Sequence, residues 1–548
     1  MTGQPRVRRN DWGTLTPPEL GAWTPTLSVS VVIPAYDAGR LLPTVLAGLA
    51  AQTYPAHLLE VVVADDGPGR LELPEVRPER TRIVPVTEGW GRANACHAGA
   101  LASDGDVVHW LDADMLVERD QVEAQLRWHH LIDYAVVLGH KWFVDPATVL
   151  AATPSEVRAA VAEGRTETYF EGQEWLPHDW VEQVHQRTDD LRAAGPRAQR
   201  AHVGATGSLH RTLYDESGGM GTMLKLGEDI DLGYRLAEVG AVFVPDRAAR
   251  SWHLGFTHVM EQREKVNDHN DPYLCDRVPD MRPKRRLGRL YSVPYVEVVL
   301  DVRGETDHHR VVTTVDAVLA STLSDLSVTL LGDWSTLDDE RRSPLADPRL
   351  PERLVQAAYR GDPRVRLLEQ LPPGRCPAMF RLTLADAAWC PLPDALTALV
   401  MHLERTHHGL RLVMQPDGTS ARLERTAAVQ RARRVAAPDE DPDTVIDEVY
   451  GTWWVEGGEA GFVASDGYVT PRPRNTGGPR LSVDEAWELV APTASARAAA
   501  KPKKQAPRPA PAAEPTPETT PETTPETGPA APAPGLLGRL GSRLRGEP

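Results

Sequence analysis

Apolar and polar positions along the chain follow two rhythms. The first is a short apolar run closed by a polar or proline-bearing corner. Val29 to Ile33 is such a run, stopped by Pro34, and proline sits at strand ends and edges rather than in central pairing. Leu59 to Ala64 runs into Asp65-Asp66-Gly67, and Arg82 to Val86 is a shorter run. Val107 to Leu111 ends in Asp112-Ala113-Asp114, and Ala135 to Gly139 and Ala241 to Pro245 follow. The second rhythm is helical. Leu41, Leu42, Val45, Leu46 and Leu49 share one face between Leu41 and Gln52, and Gly91 to Ala102, Arg119 to Ile132, Ser155 to Glu163 and Asp179 to Ala194 read as helices too. Strands alternating with helices predict an α/β domain whose mostly parallel sheet is covered on both faces. The first 27 residues are polar, Pro-bearing and expected to be irregular.

In such sheets ligands sit at the carboxyl ends of the strands. Three polar clusters fall there: Pro34-Ala35-Tyr36-Asp37, Asp65-Asp66 and Asp112-Ala113-Asp114. Asp112 and Asp114 are two residues apart, so they can share a face as the strand ends. Two converging carboxylates repel unless something cationic lies between them. A divalent cation completed by substrate phosphates is the usual enzyme solution. Further on, Glu228-Asp229 opens a short helix, where acidic residues suit the dipole, and Ser251-Trp252-His253 follows a strand. Simpler roles stand beside these. Glu228-Asp229 could only cap its helix, and His253 could only pack between Trp252 and Phe256. Arg92 could pair with Asp104 or Asp106, Cys96 is a small buried residue, and Trp175 and Trp180 could pack or stack on a sugar.

The second half reads as a worn copy of the first. Val296 to Asp301 stands where Ser30 to Asp37 stood, and Thr314 to Thr322 parallels the next helix. Ser327 to Asp333 parallels the second strand, with Gly332 for Asp65 and Asp333 for Asp66. Leu382 to Ala388 parallels the strand ending in the acidic corner. In that register Asp386 replaces Asp112 and Ala388 replaces Asp114, and a helix starts near Pro393. Asp439-Glu440-Asp441 falls near the place of Glu228-Asp229 and reads as a solvated loop.

Composition narrows the classes. Of 548 residues, 60 are Lys or Arg and 77 Asp or Glu, a formal net charge of −17. That balance excludes general nucleic-acid binding, which needs a basic face. Four scattered cysteines without a CxxC predict free thiols in a reducing compartment. No apolar run is long enough for a bilayer span, and the N-terminus lacks a signal-peptide core, so a cytoplasmic protein is expected. Residues 493–534 are a Pro/Ala/Thr/Glu stretch expected to be a disordered linker. In 535–548, Leu536, Leu537, Leu540 and Leu544 share a helical side with Arg539, Arg543 and Arg545 interleaved. Such a basic amphipathic segment could make peripheral contact with the inner face of a membrane.

Taken together, "VSVVIPAYD", "EVVVADDG", "GWGRANACHAGALASDGDVVHWLDADM", "TGSLHRTLYDESGG" and "LGEDIDLGYRLAEVG" resemble the family 2 glycosyltransferases with the GT-A fold. The resemblance implies a Rossmann-like mixed sheet over residues 28–285, a degenerate GT-A-like second domain over 290–490, and an irregular arm over 1–27. It implies an inverting transfer of a sugar from a nucleotide-diphosphate-sugar donor, UDP being the commonest nucleotide, to a hydroxyl of a cell-surface glycan or lipid-linked acceptor. It assigns Pro34, Ala35, Tyr36, Asp37, Asp65 and Asp66 to the base and ribose, and Arg92, Asn94 and Asp112 to the diphosphate and sugar. Asp112, Asp114 and His253 become ligands of Mn2+ or Mg2+, and Asp229, beside Glu228, the base that deprotonates the acceptor. Asp37 stands where the family more often has Asn, and the glycine-rich stretch at Arg92 is atypical. Two alternatives remain at this point. One is a nucleotidyltransferase, which would carry a Gly-rich basic loop where Pro34-Ala35-Tyr36-Asp37 stands, and the other is a non-catalytic sugar-nucleotide or glycan-binding scaffold.

Overall fold

A computed structural model describes residues 3–69, 71–282 and 289–469. The expected linker (493–534), the basic segment (535–548) and the end of the expected second domain lie outside the described residues.

The first sheet has nine strands: β1 Val29–Ala35, β2 Leu59–Asp65, β3 Thr81–Pro85, β4 Val107–Leu111, β5 Met115–Val117, β6 Ala135–Val144, β7 Leu176–Pro177, β8 Thr206–His210 and β9 Val242–Leu254. Their order is β3-β2-β1-β4-β8-β6-β9-β5, with β7 attached to β6. β1 is central and parallel to both β2 and β4. Its alternate side chains therefore feed two cores: Val29, Val31 and Ile33 pack under the helix Leu42–Leu49, and Val32 faces the other side. β8 runs antiparallel between β4 and β6, which makes the sheet mixed. β6 is twice and β9 more than twice the length expected, because His140-Lys141-Trp142 and the stretch from Asp246 to Arg250 interrupt apolar runs without ending the strands. A register shift at Gly139/His140 loops residues 247–249 out of β9.

The second sheet repeats this plan. Its strands are β10 Val296–Asp301, β11 Leu326–Leu331, β12 Val365–Leu368, β13 Phe380–Leu384, β15 Leu410–Met414, β16 Ser420–Arg425 and β17 Thr452–Glu456; β14 Trp389–Pro391 and β18 Phe462–Ala464 form a separate pair. The order β12-β11-β10-β13-β16-β15-β17 is that of β3-β2-β1-β4-β8-β6-β9. Hydrogen bonds at strand starts also recur: Val61 N–H to Arg80 O becomes Val328 N–H to Arg364 O, and Val107 N–H to Ser28 O becomes Phe380 N–H to Tyr295 O. Leu254 N–H to Asp114 O becomes Ser465 N–H to Ala388 O. Ala388 thus occupies the place of Asp114. Met115 pairs with His253 in the first sheet and Trp389 with Ala464 in the second, so Ala464 occupies the place of His253. Asp386 is a turn former, its Oδ1 accepting from Ala388 N–H at 2.7 Å. Asp441 caps the helix Pro442–Val449 through Thr444 N–H at 2.9 Å, and Glu440 pairs with Arg6.

The two α/β domains share a core. Ala428, Ala432, Val435, Val445 and Ile446 of the second pack with Val136, Leu236 and Val242 of the first. The N-terminal arm, irregular except for a single turn at Trp12–Thr14, lies along this seam. Val7 and Asn10 are buried, and the Asn10 amide exchanges hydrogen bonds with the backbone of Phe243 at 2.8 and 2.9 Å. The guanidinium of Arg431 is wholly buried in the seam. It donates to the carbonyls of Val7 (3.0 Å), Arg9 (3.2 Å), Ala241 (2.7 Å) and Gly240, between the rings of Tyr134 and Tyr450. Gly240 has φ +90°, and a Cβ there would meet Arg431 N at 2.7 Å, so only glycine serves. Among the described residues no helix is long and apolar enough to cross a membrane, and Cys96, Cys376 and Cys390 are free thiols.

Candidate active site

The candidate residues gather at the carboxyl edge of the first sheet. The turn after β4 is pinned by its backbone: Asp112 N–H donates to Ala205 O at 3.0 Å, Met115 N–H to Asp112 O at 3.1 Å, and Leu254 N–H to Asp114 O at 2.8 Å. The two aspartates then diverge. Asp112 Oδ1 receives Arg92 Nε at 2.8 Å. Asp114 turns instead to β9, where its Oδ2 lies 3.6 Å from His253 Nε2.

Arg92 opens the helix Arg92–Ala102, and its second nitrogen donates to Glu228 Oε1 at 3.0 Å. A third donates to Gly204 O. One planar fork thus joins the end of β4, the start of the helix Glu228–Glu238 and the loop before β8, a geometry that arginine supports and lysine does not. Burial raises the proton affinity of Glu228, and Arg92 opposes that rise. Asp229 is fastened by backbone. Its Oδ2 accepts from Gly204 N–H at 3.0 Å and its Oδ1 from Ile230 N–H at 2.8 Å, while His202 Nδ1 donates to its carbonyl at 2.8 Å. Each carboxylate oxygen keeps a second lone pair.

The remaining candidates line the same edge. Tyr36 is 71% exposed, and Asp37 takes a left-handed backbone (φ 51°) that turns the chain into the next helix. Asp65 accepts from Gly67 N–H at 3.0 Å, and Asp66 Oδ2 from Gly91 N–H at 2.5 Å. Pro34 and Ala35 end β1 beside them. Asn94 does not face the carboxylates; its amide ties the carbonyls of Trp90 (2.8 Å) and Thr222 (3.1 Å) together. Arg92 pairs with neither Asp104 nor Asp106. Trp175 packs edge-on against Trp252, and Cys96 is buried.

No three His, Cys, Asp or Glu side chains among the described residues are gathered closely enough to hold a metal by themselves. Asp114 and His253 nonetheless fit one. Asp114 Oδ1 is buried without a hydrogen-bond partner. Burial raises its carboxyl's proton affinity; His253 opposes this and Asp112 adds to it. The His253 Nδ1–H donates to Gly255 O at 3.0 Å, which in the neutral ring leaves the Nε2 lone pair facing a carboxylate. Two facing lone pairs call for a proton or a cation, and a histidine whose other nitrogen is held by a carbonyl is the usual metal-ligating form.

Pattern reading missed three contributors. His202 and Gly204 set the orientation of Asp229 from a loop whose glycines signal only a turn. Lys141 is buried in β6, with Asp112 and Asp229 the charges that bear on it most, and lay beyond the point where the apolar run stopped.

The family model for Glycosyl transferase family 2 matches residues 30–188. The chain is 24% identical over 366 residues to a chondroitin synthase of Escherichia coli, covering 62% of this chain and 50% of that one. It is 29% identical over 277 residues to a validoxylamine A glucosyltransferase of Streptomyces hygroscopicus subsp. jinggangensis, covering 48% and 63%. The chain thus spans between half and just under two thirds of these relatives' lengths. A mannosyltransferase of Pyrobaculum calidifontis, solved with GDP-Man and Mn2+, superposes with TM-score 0.33 at 20% identity, over 47% of this chain and 66% of that one.

Proposed function

We propose that this chain, whose residues 30–188 are a family 2 glycosyltransferase domain within a GT-A fold, moves a sugar from a nucleotide-sugar donor to a hydroxyl of a glycan or lipid-linked acceptor, with inversion at the anomeric carbon. The observation that carries the reading is the Arg92 fork, which unites the acidic corner after β4 with the acidic helix start. The names of the relatives, a synthase of one glycan and a glucosyltransferase, support sugar transfer as the reaction class.

In this reading the donor nucleotide lies along Pro34, Ala35, Tyr36, Asp37, Asp65 and Asp66. Asp114 and His253, with Asp112 beside them, would hold a Mn2+ or Mg2+, and an imidazole ligand tilts that choice toward manganese. Such an ion neutralises the charge that develops on a departing diphosphate. Arg92 keeps Asp112 oriented. Asp229, fixed by Gly204 and Ile230 N–H groups, takes the proton from the acceptor hydroxyl. The hydroxyl oxygen then bonds to the anomeric carbon as the bond to the diphosphate breaks on the opposite face. One base suffices, because no covalent sugar–enzyme intermediate forms, unlike the two-carboxylate plan of retaining hydrolases.

The test is a nucleotide-sugar screen that follows thermal stabilisation and donor hydrolysis with and without Mn2+. Asp114→Ala is expected to abolish metal-dependent donor binding. Asp229→Ala is expected to keep donor binding and lose transfer by ~100-fold or more, the scale of a general base. Transfer by either variant at the parent's rate would overturn the assigned roles, and silence toward every nucleotide sugar would overturn the reading.

A further inference from the structure

The floor of the candidate site carries a buried lysine. β8 and β6 pair Ser208 with Val137 and Gly207 with Leu138. Continuing that antiparallel register by three residues sets Lys141 across from Gly204, whose carbonyl holds Arg92 and whose N–H holds Asp229. Its neighbours two residues away on either side agree, since alternate side chains of a strand share a face. A Cβ on Gly139 would meet Thr206 at 2.8 Å, and the ring of Phe143 lies 4.8 Å from that of His253. Lys141 therefore stands between the loop that fastens Asp229 and the histidine that faces Asp114. It is 5% exposed, and its ammonium makes no hydrogen bond or ion pair with any described residue. Burial lowers its pKa to about 8, and Asp112, Asp229, Glu182 and Asp114 oppose the fall, so the group keeps most of its charge at neutral pH. The hollow behind it, toward the helix Asp179–Arg187, is about 20 Å³, room for about one water. An ammonium held this way lowers stability, and such groups gather where a site has chemistry to do.

The other charges of the site are shared out unequally. Arg92 takes Asp112 at 2.8 Å and Glu228 at 3.0 Å. Asp114 faces the His253 imidazole at 3.6 Å, and Asp229 is held by the N–H groups of Gly204 and Ile230. Lys141 offsets these two carboxylates from a distance, without touching either. A positive charge so placed acts in opposite directions on the two parts of a metal–nucleotide ligand. It repels a divalent cation that arrives alone at Asp114 and His253. It attracts the diphosphate of a sugar nucleotide. Asp114 and His253 supply two facing ligands, which leaves most of an ion's coordination to phosphate oxygens and water.

We infer that Lys141 selects the form in which a metal is bound: it disfavours the free ion and favours the ion completed by a diphosphate, so that ion and nucleotide enter the site together. The inference rests on the glycosyltransferase reading for the identity of the anion. It is tested on the full chain with Mn2+ alone, followed by the electron paramagnetic resonance of the unbound ion, and with UDP and GDP in the presence of a chelator, followed by calorimetry. Lys141→Met is expected to bind Mn2+ roughly tenfold tighter and the nucleoside diphosphate roughly tenfold weaker. Lys141→Gln carries the same expectation, so the outcome does not hang on how one side chain packs. Lys141→Arg keeps the charge and is expected to follow the parent for both ligands. The thermal midpoint of Lys141→Met is expected to stay level or rise, because an unpaired buried charge has been removed. Shifts of the same sign for both ligands, no shift in either, or a lowered midpoint in both neutral variants would overturn the inference, the last by marking Lys141 as a structural residue. Nucleotide binding by the parent with Mn2+ present is measured on the same preparation. Its absence would remove the transferase reading and this inference together, whereas nucleotide binding without the opposed shifts would remove the role of Lys141 alone.

Discussion

Arg92 is the residue on which two otherwise repelling carboxylates depend. Its removal leaves Glu228 buried beside Asp229 with no counter-charge, and breaking a buried pair costs far more than the pair contributes. Arg92→Ala is therefore expected to lower stability by about 3 kcal/mol in urea unfolding. Arg92→Lys should recover only part, because a point charge cannot span Asp112, Glu228 and Gly204 together. The partners of Arg92 were not legible in the sequence. Asp104 and Asp106 are nearby in the chain, whereas Asp112 and Glu228 are 20 and 136 residues away. The carboxylates themselves were legible, because strand ends and helix starts are marked by local pattern. Lys141 was not, since a lysine following an apolar run reads as the end of a strand, and only the continuation of β6 beside β9 shows that it is buried.

Among elements, the helix Glu228–Glu238 carries the most, with the candidate base at its start and the second domain at its end. Gly227 (φ +76°) lets the chain enter it, and a Cβ there would press on Asn270 and Leu274. Glu238, at the far end, is 2% exposed, and its Oε2 has no partner. Burial raises its pKa to about 8, against the opposing pull of Arg375 and Arg425. A folded-state value raised above the unfolded 4.5 means that the folded form binds the proton more tightly. That contribution to stability is complete below pH 4.5 and is lost as the pH rises toward 8. Glu238→Gln is expected to flatten this slope. The difference in unfolding free energy between variant and parent, followed from pH 5 to 8, should change by on the order of a few kcal/mol. Equal slopes would show that Glu238 ionises freely. Element types were largely legible in the apolar rhythm. The lengths of β6 and β9 were not, because pairing across the register shift holds polar residues in extended form.

At the scale of the molecule, the two domains are built on one strand order and joined by a common core, with the N-terminal arm laid along the seam. Both domains are therefore expected to unfold in one calorimetric transition. Arg431→Met strips four backbone carbonyls of their donor and is expected to cost about 3 kcal/mol and to divide that transition in two. A single transition with unchanged midpoint would show that the seam is held by apolar packing alone. The repeated architecture was visible in the order of runs and corners. The arm's anchoring was not, since Asn10 and Val7 carry no periodicity and their burial depends on strands more than 200 residues away. The seam itself was hidden for the same reason: Arg431 looks like one of several arginines on a surface helix until Val7, Gly240 and Ala241 surround it.

The second acidic corner differs from the first at two places that meet across a strand pair, Ala388 for Asp114 and Ala464 for His253. Either reversal alone restores half of a paired site, so a carboxylate at 388 and an imidazole at 464 would be needed together to face one another there. The helices of the same domain at Thr426–Val435 and Pro442–Val449 have a different task, since they carry the core shared with the first domain.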